Sequence, residues 1–104
     1  MSVEYADGVF EELVEISFYL SDADESVAHR FLNACNNTFH HLAQNKFLGV
    51  ERKFNDARLS NIRMWRVKDF ERYLIFYVPT EDGIRVLHVV HSSTDYSRTF
   101  ENEL

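Results

Sequence analysis

Apolar residues recur with a helical period over the first 42 positions and change to short alternating or continuous runs from residue 62 onward. Val9, Leu13, Ile16 and Leu20 stand three and four apart with Phe10 beside them, which predicts an amphipathic helix from about Gly8 to Leu20. Glu11, Glu12 and Glu15 are expected on its solvated face. The segment Ser21–Glu25 breaks this helix and starts another. Asp22, followed three residues later by Glu25, has the form of a helix N-terminus, where unpaired N–H groups attract side-chain oxygens and negative charge. Val27, Phe31, Ala34, Cys35, Thr38, Phe39 and Leu42 then form one stripe. The short connection predicts an antiparallel helical hairpin. Phe18 and Tyr19 flank the first stripe, where they can cover a partner segment. Ahead of both helices, Val3 and Tyr5 suit a short strand.

Gln44 to Asn61 has no clean period and reads as a loop with a short helical turn. Ile62–Val67 alternates, Tyr73–Val78 is an apolar run rich in β-branched and aromatic residues, Pro79–Gly83 is a turn, and Ile84–His91 is a further strand. The expected fold class is α+β: a short strand and helical hairpin (1–45) packed on an antiparallel meander of three to four strands (62–91). Residues 92–104 are expected to be a polar, loosely attached tail, the whole of 1–104 forming one domain.

Composition agrees. Nine Phe and five Tyr in 104 residues supply a core and argue against disorder. Cys35 is the only cysteine and lies on an apolar stripe, which fits a reduced compartment. No apolar run approaches the ~20 residues of a membrane span. The opening MSVEYADG lacks the features of a signal peptide, so a cytoplasmic location is expected. The net charge of −6 is uneven. Residues 1–29 carry eight acids and no Lys or Arg, whereas 46–72 carry eight basic residues against four acids. That basic middle either is a solvated face or meets an acidic partner or nucleic acid.

Arg63, Arg66, Arg72 and Arg85 fall on or beside strands, where a guanidinium can clamp phosphate or carboxylate or simply ride a wet face. Arg63 and Trp65 should share one face of their strand, Met64 and Arg66 the other. His91 with Asp95 could orient an imidazole for acid–base work, or His91 could merely end a strand. Tyr73, Tyr77 and Trp65 could stack on bases or fill the core. His88 and His91 lie three apart on one strand, and His40 and His41 are adjacent on a helix. Neither spacing chelates, so no metal and no cofactor are expected.

The pieces IRMWRVKDFERYLIFYV and DGIRVLHVVH, followed by Asp95, resemble the second half of ParE-type toxins in the RelE/ParE superfamily of type II toxin–antitoxin systems. Arg63, Tyr73, Phe76, Tyr77, Gly83, Ile84, Val89 and His91 occupy the family's pattern. The helical half matches by pattern only. Two departures stand out: Thr94 replaces an arginine usual after the last strand, and the terminal His-Tyr of one RNA-cleaving group falls near Ser93 and Thr94.

The resemblance implies a toxin that acts by binding a target such as DNA gyrase and is neutralised by a cognate antitoxin. Target contact then falls to Arg63, Arg66, Arg72, Tyr73, Arg85, Asp95 and Arg98, the last standing in for the arginine absent at Thr94. One alternative is a RelE-like ribosome-dependent mRNA endonuclease using Arg63, Arg66, Arg72 and His91. Another is a degenerate toxin that only binds antitoxin. The acidic net charge disfavours the ribosome. Neither a membrane nor direct DNA binding by the chain alone is expected.

Overall fold

The computed structural model describes residues 1–104. A short strand, β1 (Ser2–Tyr5), leads into the helical hairpin α1 (Val9–Ser21) and α2 (Glu25–Gln44). Strands β2 (Val50–Glu51), β3 (Arg63–Val67), β4 (Phe70–Pro79) and β5 (Gly83–His91) follow, with a 3₁₀ turn at Ala57–Leu59 between β2 and β3. The chain closes on a third helix, α3 (Tyr96–Asn102). The sheet order is β1-β5-β4-β3-β2. Strands β2 to β5 form the antiparallel meander, and β1 lies parallel beside β5 with Ser2 opposite Gly83 and Tyr5 opposite Val86. At the first of these pairs a Cβ on Gly83 would run into the backbone of Ser2, so glycine there lets the two strands meet.

The helical stripes are placed largely as their spacing implies. Phe31, Cys35, Thr38, Phe39 and Leu42 of α2 are buried, as are Val9 and Leu13 of α1. The cap of α2 is Asp24, not Asp22. Asp24 has the extended backbone a cap needs, and its carboxylate accepts the Ser26 N–H at 2.9 Å. Asp22 is still helical and closes α1. Phe10 points outward, 60% exposed, while Glu12, expected on the wet face, turns in toward β5.

Strand β4 organises the interior. Tyr73, Ile75 and Tyr77 face the helical hairpin and join its core with Val67, Ile84, Val86 and Val89. Leu74 and Phe76, on the alternate positions, face a second layer made of Leu59, Ile62 and Phe100. Strand β4 is therefore covered on both sides, which explains its nearly unbroken apolar run.

That second layer corrects one expectation. Residues 92–104 are not a loosely attached tail. Asp95 caps α3 through the Arg98 N–H at 3.3 Å, and Phe100 is 3% exposed, edge-on to Phe54 and Phe76. Tyr96 packs on Phe76 as well, at 4.7 Å between ring centroids, so two aromatics dock an otherwise polar segment.

Phe100→Ala should therefore cost about 3–5 kcal/mol of unfolding free energy, as for a core phenylalanine. Urea denaturation measures this, and a loss below about 0.5 kcal/mol, typical of a surface position, would mean that α3 does not pack.

Candidate functional site

The cations expected to act together are divided between two faces. In the β3–β4 ladder Arg63 stands opposite Tyr77 and Trp65 opposite Ile75, on the hairpin side. Met64 opposite Phe76 and Arg66 opposite Leu74 lie on the other side. Arg63 is engaged: its Nη1 donates to the carbonyls of Phe47 and Gly49 at 3.1 and 2.7 Å, with its guanidinium 5.2 Å from the Phe47 ring centroid. The hydroxyl of Tyr77 completes this latch. It accepts the Gly49 N–H at 2.8 Å and donates to the Lys46 carbonyl at 3.0 Å. Gly49 must be glycine here, because a Cβ would strike the Tyr77 ring and hydroxyl. Arg63 and Tyr77 thus hold the 46–49 loop against the sheet.

Arg66, Arg72 and Arg98 reach solvent, and Arg85 is half-buried. Arg66 Nη1 donates to the Glu71 carbonyl at 2.7 Å, which holds it at the β3–β4 turn near Lys68. Arg72 lies at the same end of the sheet, its carbonyl accepting the Ser92 N–H at 2.7 Å.

His91 and Asp95 do not pair. His91 Nδ1 accepts the Ser93 N–H at 3.0 Å and lies 2.8 Å from the Ser93 hydroxyl, while Asp95 caps α3. Tyr73 is buried edge-on between Phe31 and His91, at 5.0 and 5.2 Å between ring centroids, so it packs rather than offering a stacking surface. Burial also raises the pKa of its hydroxyl, the charge of the nearby Tyr19 adding to the effect. Cys35 is 1% exposed, and burial pushes its thiol up to about 12, which removes the thiolate as a nucleophile. No three His, Cys, Asp or Glu side chains converge as a metal-ligand set, and no helix is long and apolar enough to cross a membrane.

Two features emerge only in three dimensions. The first is a groove of about 490 Å³ along the outer side of the helical hairpin. Phe10, Val14 and Phe18 line one wall at four-residue intervals, and Ala28 and Leu32 line the other. Phe18 is 71% exposed, and Glu25 is the one acid among the residues that line the groove. The spacing of 10, 14 and 18 is present in the sequence, but the core-facing stripe at 9, 13, 16 and 20 overlaps and masks it. The second is His88, whose Nδ1 lies 2.8 Å from Glu12 and Nε2 2.7 Å from Glu103. Glu12 also accepts the Val89 N–H at 3.1 Å, past the point where β1 ends. Carboxylates only accept, so His88 satisfies both with two N–H groups as an imidazolium. The bond to Glu12, with a smaller contribution from Glu103, drives its pKa up to about 9 against the opposing effect of burial. No local motif links Glu12, His88 and Glu103, which are joined only by the fold.

A family model described as "ParE toxin of type II toxin-antitoxin system, parDE" matches residues 3–96. No curated protein matches the chain.

The His88 bridge ties α3 to α1, and its contribution depends on pH in a defined direction. The folded-state pKa of about 9 lies above that of an ordinary imidazole. The stabilisation is therefore fully present below about pH 6.5 and is lost as pH rises through the folded value. His88→Ala should cost on the order of 1.5–3 kcal/mol at pH 6. The gap to wild type should narrow toward pH 10 in parallel urea titrations. A gap that does not change with pH would show that His88 is not charged in the folded protein.

Proposed function

The chain belongs to the ParE toxin family of type II toxin–antitoxin systems, and from that premise we propose that it halts growth by binding DNA gyrase in the cytoplasm rather than by cutting a substrate. A cognate antitoxin follows from the family.

The observation that carries the binding reading is the separation of the candidate catalytic groups. A nuclease must gather its cations and its base around one scissile phosphate. Arg63 and Arg66 lie on opposite faces of β3, Arg63 is spent on the 46–49 loop, and the His91 ring is held by Ser93. Contact with the target then falls to Arg66, Arg72, Arg85 and Arg98. The antitoxin lays an amphipathic, basic helix into the groove between α1 and α2. Phe10, Val14, Phe18 and Leu32 receive its apolar face, and Glu25 on the groove wall meets a cation.

Induction without antitoxin should arrest growth and reduce supercoiling by purified gyrase. Deleting one charge-assisted hydrogen bond to the target costs about 1.5–3 kcal/mol, or roughly ten- to a hundredfold in affinity. Arg66→Ala, Arg72→Ala and Arg98→Ala should thus weaken arrest in steps, and paired substitutions should abolish it. Phe18→Glu should release the antitoxin while leaving toxicity. If His91→Ala alone removes all toxicity with the fold and antitoxin binding intact, the protein is an enzyme. If wild type neither arrests growth nor inhibits gyrase, it is an antitoxin-binding module without that target.

A further inference from the structure

Strand β2 spans only Val50 and Glu51, which pair with Met64 and Arg63. From Trp65 onward the outer edge of β3 has no neighbouring strand. The Arg52 N–H donates to the Ile62 carbonyl across this edge at 2.8 Å. Main-chain groups of an antiparallel strand alternate between its two sides. Those of Met64 therefore face β2, and the N–H and C=O of Arg66 face outward with no strand opposite. Two residues on, the Lys68 N–H meets the Thr38 hydroxyl of α2 at 3.3 Å, a side chain standing where a strand would be.

Open space of about 500 Å³ lies along this edge, between α2 and the β3–β4 turn. Asn37 and His41 line its helical side, Trp65, Arg66 and Lys68 its strand side, and Glu71 is the single acid. None of these residues lines the groove on the outer side of the hairpin.

We propose that this edge takes an extended, acidic segment of the toxin's target protein as a sixth strand. The proposal deepens the binding-toxin reading and rests on it. The incoming backbone pairs with the N–H and C=O of Arg66, which gives affinity without regard to sequence. Arg66 and Lys68 select carboxylates on the added strand, and the half-buried Trp65 indole receives an apolar side chain facing α2. A second copy of this chain does not fit. Antiparallel self-pairing would set Arg66 and Lys68 of one copy against those of the other, and like charges facing across strands repel.

Two experiments test this. In the first, ¹⁵N-labelled protein is titrated with a seven-residue peptide of alternating Val and Glu and, separately, with its Val/Lys counterpart. The acidic peptide should shift the amide signals of 65–68. The affinity should fall at least tenfold in an Arg66→Glu/Lys68→Glu variant and rise in Glu71→Gln. No shift at millimolar peptide, equal binding of the basic peptide, or shifts confined to the α1–α2 groove overturns the proposal. In the second, the double variant is induced in cells without antitoxin. It should lose growth arrest while retaining antitoxin binding and wild-type thermal unfolding, whereas undiminished arrest overturns the proposal. Should the double variant not fold, the exposed Lys68→Glu change alone is read against the same criteria. If wild type itself fails to arrest growth, the gyrase reading falls, while the peptide titration still judges the edge.

Discussion

Burial of β4 on both of its faces is the constraint from which the rest of the architecture follows. Tyr73, Ile75 and Tyr77 need the helical hairpin, and Leu74 and Phe76 need a second cover. A sheet wetted on one side could not carry this run, because its alternate residues would leave large aromatic and aliphatic groups in water. The second demand is met by the 52–62 segment and by α3, so stretches of chain that look irregular are pressed into a layer. The loop latch follows as well. The ring of Tyr77 is fully buried by the hairpin, and its hydroxyl must then find partners, which Gly49 and Lys46 supply.

The parts legible in the sequence are those governed by local period. The α2 stripe, the β4 run, the Pro79–Gly83 turn and the division of Arg63 with Trp65 from Met64 with Arg66 all depend on spacings of two to four residues. The parts that are not legible depend on partners far away along the chain. Glu12 reads as one more acid on a wet face until His88 and the Val89 N–H are placed beside it, 76 and 77 residues on. Arg63 reads as a candidate ligand clamp until the carbonyls of Phe47 and Gly49 occupy it. Phe100 reads as an aromatic in a polar tail until Phe76 and Phe54 surround it. The shift of the α2 cap from Asp22 to Asp24 is of a different kind. Both residues are chemically suitable, and backbone conformation decides between them.

Charge is arranged in the same two-part way. The acidic first third of the chain forms the outer surface of the hairpin, and the basic middle forms the β2–β4 end of the sheet. The molecule therefore presents an apolar groove on the acidic hairpin and an open, cation-flanked strand edge elsewhere. Electrostatic steering can deliver differently charged partners to different places on the same small protein.

The parallel pairing of β1 with β5 has a consequence for synthesis. Ser2 cannot meet Gly83, nor Glu12 meet His88, until nearly the whole chain has left the ribosome. Contacts of such long sequence separation form slowly and late. At about 5–20 residues per second the ribosome needs on the order of 5–20 s to make a chain of this size. The helical hairpin, with its groove, can form well before the sheet that the cations decorate. An antitoxin segment that recognises only the hairpin could thus engage the nascent chain before its sheet is complete.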